Sequence, residues 1–307
     1  MVQLPPDLVM LERGWLSSNS LLMLGDPRGA VIVDTGYCTH KAQTLALVRA
    51  SLEPTRQTLR LIVNTHLHSD HCGGNAHLSA AFDGCAVWIP PGHFDAALDW
   101  DQQALSYAPT GQQCERFVPT RALQPGETLV QSDRAWQVLA APGHDLHSVM
   151  LFDPESGLLM SADALWERGF GIVFPELDGD TGFDEVDRSL DLIESLDVRV
   201  VVPGHGRMFT DVASALTEAR SRLAFFRRHP ERHTRHAAKA LLVFHMLDVG
   251  QCTRMELGAW LDQVRIHQVM WRLHFSDRPL DSWTDELLGE LARAGALRLD
   301  GNTISVQ

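Results

Sequence analysis

Three imidazoles and a carboxylate fall within six consecutive positions, at His66, His68, Asp70 and His71. Neutral imidazole nitrogens and carboxylate oxygens are what zinc, iron or manganese take as ligands, and one compact loop can turn several of them towards a single point. A solvated His-rich turn would need no partners elsewhere, yet partners recur downstream. His144 stands in Pro142-Gly143-His144, Asp163 in Ser161-Ala162-Asp163, and His205 in Pro203-Gly204-His205-Gly206. Singly each is a weak signal; as an ordered set they point to metal chemistry.

Each candidate ligand lies just past a run that reads as a buried strand. Leu59 to Asn64 is short, apolar and β-branched at Ile62 and Val63, and it runs into polar residues and then Gly73-Gly74. Trp136 to Ala140 precedes His144, Leu158 to Met160 precedes Asp163, and Val198 to Val202 precedes His205. The pattern therefore predicts four strand ends converging on one rim.

In these residues the chain resembles the metallo-β-lactamase-fold hydrolase superfamily, and within it the glyoxalase-II-like branch. The superfamily pattern His-x-His-x-Asp-His, a distant His, an Asp and a last His is matched by His66, His68, Asp70, His71, His144, Asp163 and His205. An upstream strand ending in Asp-Thr-Gly is matched by Val31 to Gly36, and the resemblance covers about residues 15 to 210. It implies an α+β fold, a four-layer αββα sandwich with two divalent metal ions at one edge of the sheets. It further implies that His66, His68 and His144 hold one metal, that Asp70, His71 and His205 hold the second, and that Asp163 bridges both. Zinc is the expected metal, and iron and manganese are accepted by the same donors.

Two divalent cations sharing a water lower its pKa and polarise the bond under attack, so hydrolysis is the default reaction. Asp70 is given a catalytic role besides that of ligand, as the carboxylate best placed to orient the nucleophile and take up a proton. Asp34 reads in two ways that its spacing weighs equally, a turn residue before Gly36 or a carboxylate that fixes ligand geometry without touching metal. A small-molecule thioester is the expected substrate, ahead of other esters, because a thiolate leaves without a strong protein acid and none flanks the motifs. The alternatives are a phosphodiesterase or ribonuclease using the same metals, and a ligand sensor whose C-terminal unit binds DNA or protein. Seven intact ligands favour catalysis over sensing. Within the superfamily, Asp163 and the lack of an export signal argue against a β-lactamase. The absence of a tyrosine soon after Asp163 argues against a lactonase.

Residues 1–210 are expected to form the catalytic domain and 211–307 a small, mainly helical, winged-helix-like domain. Helical patterns recur from Ser214 to Phe226 and around Ala237 to Leu247, Met255 to Leu261, Val264 to Leu273 and Trp283 to Ala294, and two short strands follow about Asp300-Gly301. Residues 210–307 hold 13 of the 26 Lys+Arg and 12 of the 39 Asp+Glu, which leaves 13 against 27, a net charge of −14, before them. So acidic a catalytic domain weighs against a nucleic-acid partner. The basic run Arg227 to His236 is read as a solvated loop between helices, since no aromatic interleaves with its charges. The C-terminal unit is expected to cover the metal rim and shape the pocket.

Between the first and second ligand groups, Trp88, His93, Phe94, Trp100 and Tyr107 read as core ahead of pocket wall. His147 reads as structural ahead of a contact with substrate. The apolar, Gly-punctuated stretch from Ala164 to Pro175 reads as a loop over the site, with Arg168 as its only cation and a candidate contact for an anionic substrate group. The five cysteines are odd in number and without paired spacing, which suits a reducing compartment, and Cys72 reads as a small residue packed beside Gly73. The stretch Met1 to Asp7 has no basic region followed by an apolar core, and no segment approaches about eighteen uninterrupted apolar residues. The expectation is a cytoplasmic enzyme with no membrane association, and a homo-oligomer is compatible with the sequence.

Overall fold

The apolar runs pair into two sheets, each covered on both faces, in a computed structural model that describes residues 4–307. Met1 to Gln3, the start of the stretch read above for export, lie outside the described residues. The first sheet has the order β1 (Leu8–Leu11), β2 (Ser20–Met23), β3 (Ala30–Val33), β4 (Leu59–Val63), β5 (Ala86–Ile89), β6 (Arg121–Ala122). Strands β3 to β6 run parallel. The connections of this half include α1 (Lys41–Leu52), α2 (Ser69–Cys72), α3 (Asn75–Ala81), α4 (Phe94–Asp99) and α5 (Tyr107–Thr110). In the second sheet, β7 (Thr128–Gln131), β8 (Arg134–Ala140), β9 (Val149–Asp153) and β10 (Leu158–Ala162) form antiparallel neighbours, and β11 (Val200–Pro203) joins β10 in parallel.

Strand β3 is buried at all four positions, which is why it reads as a continuous apolar run. Val31 and Val33 turn inward to a core shared with Leu61, Trp136, Leu151 and Val202, so this core lies between the sheets. Ile32 turns outward with Ile62 and Val87 onto Val48 and Leu52 of α1 and Leu78 of α3. On the far side, Phe152, Leu159 and Val201 meet α7 (Gly182–Ser195) and α8 (Val212–Arg228) through Val186, Leu190, Leu216 and Leu223. The layers are therefore helix, sheet, sheet, helix.

A third core gathers α9 (Pro230–Val249), α10 (Arg254–Leu261), α11 (Arg265–His274), α12 (Leu280–Arg293) and a small sheet of order β12, β14, β13, with β12 at Gln251–Thr253, β13 at Leu297–Asp300 and β14 at Thr303–Val306. Leu177 of α6 (Phe174–Asp178) is buried in it. Strand β12 escaped the sequence reading because three residues carry no period. The unit docks on the sandwich through Tyr37, whose hydroxyl donates to Asp248 Oδ2 at 3.1 Å and whose ring meets Phe244 edge-on at 5.1 Å.

The loop expected from Arg227 to His236 is instead the end of α8 and the first turns of α9. Pro230 reads as an interruption, but it occupies the first helical turn of α9, where its missing N–H costs nothing. Arg227 pairs with Asp184 and Asp187, and Arg235 with Glu286 and Glu290, so much of this basic run holds helices together. Among the described residues, no helix is long and apolar enough to cross a membrane.

Candidate metal centre

The strand ends do converge. The loop after β4 carries His66 and His68 into α2, which carries Asp70 and His71; His144 follows β8, Asp163 follows β10, and His205 follows β11. Ligand-type atoms of His66, His68 and His144 lie within 4.8 Å of one another, as do those of Asp70, His71 and His205. A third such group joins His66 and His71 to Asp163. Asp163 Oδ2 is 3.3 Å from His144 Nε2 and 4.0 Å from His205 Nε2, and its Oδ1 is 3.6 Å from His71 Nε2, so one carboxylate lies between the two sets.

Local backbone aims these groups. Asp34 is fully buried at a left-handed φ of 59°, where its carboxylate accepts from His71 Nδ1 at 2.7 Å and from the Thr65 N–H at 2.9 Å. Of its two sequence readings, the contacts favour fixing ligand geometry, because bonding Nδ1 turns His71 Nε2 to the centre. His144 is set likewise, with Nδ1 donating to the Ile172 carbonyl at 2.5 Å. Ala162, just before Asp163, is also left-handed at φ 47°. Gly204 is required by close approach, since a Cβ there would come within 2.1 Å of Asp163 Oδ1.

The donor set fits metal ions. Among the described residues, His66 Nε2 and His71 Nε2 are buried with no hydrogen-bond partner, an arrangement that is costly unless a cation takes the lone pair. Burial, followed by His71, holds His66 well below its ordinary pKa, and burial with His144 pushes His68 down to about 3, so both present lone pairs. Burial would raise Asp70 and Asp163, but the imidazoles beside them, His71 foremost, keep both below the usual carboxylate range. For His71 burial is outweighed by Asp34, Asp163 and Asp70, which raise it well above its ordinary value. The negative field that would draw a proton there is the field that would hold a cation.

Two cavities meet at this centre. The larger, of about 660 Å³, has an apolar wall from Leu241, Phe244 and Leu247 of α9 and a mouth formed by Trp15, Trp166 and Arg168. The smaller, of about 270 Å³, is lined by His93, Asp145, His147, Asp178 and Arg265. His68 and Phe174 line both. His147, read as structural, is exposed on the smaller cavity, its ring against His93 at 4.7 Å. Phe94, Trp100 and Tyr107 belong to the core beneath the first sheet. Cys72 is wholly buried, its sulfur 3.1 Å from the Tyr107 hydroxyl.

Three contributors were missed from sequence. Trp15 stacks on His205 at 5.2 Å, Trp166 Nε1 donates to Asp163 Oδ1 at 3.1 Å, and Asn19 Nδ2 donates to the carbonyls of Pro203 and Gly206. No motif or period marks them; only the folded neighbourhood does.

Residues 13–205 match the family model of the Metallo-beta-lactamase superfamily. The chain is 29% identical over 158 residues to acyl-coenzyme A thioesterase MBLAC2 of Gallus gallus, covering 48% of this chain and 57% of that protein. It is 32% identical over 170 residues to hydroxyacylglutathione hydrolase of Synechococcus sp. (strain JA-3-3Ab), covering 54% and 56%. Its matches thus span little more than half the length of these relatives. Among solved structures, the metallo-beta-lactamase family protein TTHA1429 from Thermus thermophilus superposes with a TM-score of 0.57 at 21% identity, over 99% of this chain and all of its own, which shows likeness of fold. TTHA1623, solved in a di-iron-bound form, is 27% identical with a TM-score of 0.54, covering 69% of this chain and 98% of its own.

Proposed function

Because the chain belongs to the metallo-beta-lactamase superfamily, we propose that it is a dinuclear metal-dependent hydrolase whose substrate is a small-molecule thioester or related ester. The observation that carries the reading is the convergence of seven His and Asp side chains on two adjacent sets, with buried imidazole nitrogens left free to face them. In this reading His66, His68 and His144 hold one cation, Asp70, His71 and His205 hold the other, and Asp163 serves both. When bound, the cations would lower the pKa of a water molecule and polarise the carbonyl under attack.

The protein's own groups account for the rest. Asp70, kept ionised against its burial by His71 and His205, would orient the attacking water and receive its proton; its Oδ2 lies 3.0 Å from His205 Nε2, within reach of the same cation. Trp15 and Trp166 flank His205 and limit water at the cavity mouth. A thiolate needs no proton donor to depart, so the reaction requires no general acid on the cavity wall. The similarity to an acyl-coenzyme A thioesterase and a hydroxyacylglutathione hydrolase, both named for thioesters, supports thioesters ahead of phosphodiesters. So does the net charge of −13, which repels a polyanion. In the same reading the winged-helix-like unit expected within residues 211–307 builds the pocket from α9 onward, α8 belonging by its packing to the sandwich, and the enzyme acts in the cytoplasm on small molecules.

The test is initial rates for acyl thioesters, lactones and a bare phosphodiester, each with wild type and His68→Ala. Thioester cleavage that falls at least a hundredfold in His68→Ala is expected. Turnover confined to the phosphodiester would overturn the ranking.

A further inference from the structure

Successive helical residues turn about 100°, so Arg220 and Arg222 leave α8 on nearly opposite sides. Arg220 faces α7 and pairs with Asp187, Asp191 and Glu194. Arg222 faces the larger cavity, is only partly exposed, and has no carboxylate partner among the described residues. Its guanidinium lies over Gly169, where a Cβ would come within 2.9 Å of Cζ, so the loop after Asp163 is shaped to admit it. A partly desolvated guanidinium without a counter-charge is costly unless a ligand supplies one.

Two polar groups of α9 lie beside it. His236 and Lys239 line the same wall; Lys239 is paired with Glu290 at 3.1 Å, whereas His236 makes no side-chain hydrogen bond among the described residues, which leaves a ring N–H to donate. The α9 wall runs from these polar groups to Leu247, eleven residues and about 16 Å along the helix. An arm that fits it has an apolar stem and an anionic group. The smaller cavity has the opposite charge, with Asp145, Asp178 and Asp180 against Arg265. His68 and Phe174 stand at the junction, so a bond cleaved beside His68 has one arm in each cavity.

Resting on the thioester reading above, we propose that Arg222, with His236 and Lys239 beside it, receives an anionic group of the substrate and so selects which arm enters the larger cavity. The anion has three candidate sources: phosphates of a coenzyme-A-type carrier, a carboxylate of a glutathione-type thiol, or a carboxylate on the acyl chain.

The experiment compares butyryl thioesters of coenzyme A, of glutathione and of neutral N-acetylcysteamine with glutaryl-N-acetylcysteamine. At least one anionic substrate is expected to exceed butyryl-N-acetylcysteamine tenfold in kcat/KM. Arg222→Met should lower that ratio at least tenfold, mainly through KM, while Arg222→Lys keeps most of it. The arm that loses its advantage identifies the source of the anion. An unmoved ratio in Arg222→Met overturns the proposal; if that variant does not fold, an unmoved ratio in Arg222→Gln does so. Calorimetric binding of desulfo-coenzyme A, S-hexylglutathione and glutarate separates the two readings. Binding weakened tenfold by Arg222→Met, in a protein that cleaves no thioester, upholds the anion site and sinks the thioester reading. Thioester turnover with binding indifferent to Arg222 does the reverse.

Discussion

Asp34 touches none of the cavity walls, yet three of its contacts decide how the centre is built. Its carboxylate holds His71 Nδ1, the Thr65 N–H and the Thr65 hydroxyl, all buried. Removing it in Asp34→Ala leaves a buried imidazole N–H and a backbone N–H without acceptors. The expected cost is about 1–3 kcal/mol of stability and about a 10- to 100-fold loss of metal affinity, read by urea unfolding and by competition with a chelator. Unchanged affinity would show that His71 is aimed by something else. At this scale the candidate ligands were legible because their donor types and their places after apolar runs are written in the chain. Trp15, Asn19 and Arg222 were not, since their roles come from neighbours far away in sequence.

Strands and helices carry the aim of the site. Strands β3, β4, β10 and β11 were legible as short apolar runs, because burial on both faces removes alternation and leaves continuous Val, Ile and Leu. Helix α9 was misread at its start because a proline and a cluster of charges resemble a break, whereas the charges answer acids on α7 and α12. This helix also fixes the loop over the site, since the Val173 N–H donates to His233 Nε2 at 3.1 Å. Burial, helped by His236, pushes His233 down to about 3, so its folded-state value lies below the unfolded value of about 6.5. A neutral ring is required in the fold; its contribution is complete above pH 6.5 and is lost as the pH falls towards 3. Acidification from pH 7 to 5 should cost about 2 kcal/mol through this group. His233→Gln, which keeps an acceptor but cannot titrate, should reduce the pH dependence of urea unfolding by that amount. An identical slope in wild type and variant would refute the linkage.

Over the whole molecule, the four layers were legible through the resemblance of the ligand pattern, and the match of fold across 99% of the chain agrees with them. What the sequence left open was how the last hundred residues meet the rim, because docking depends on surfaces such as Tyr37 against Phe244 that carry no motif. The assembled chain presents an acidic body with a partly apolar, partly cationic cavity beside its His and Asp cluster. Such a body concentrates divalent cations at its carboxylates while turning away polyanions. The most direct test of a two-metal hydrolase is to strip the protein with a chelator, return zinc stepwise, and follow thioester cleavage against zinc bound per chain in wild type and Asp163→Ala. Activity should rise to a plateau at two equivalents in wild type, and Asp163→Ala should retain about one equivalent with little turnover. A plateau at one equivalent, or an Asp163→Ala protein that still binds two and turns over normally, would contradict the shared role of Asp163 and the dinuclear centre built on it.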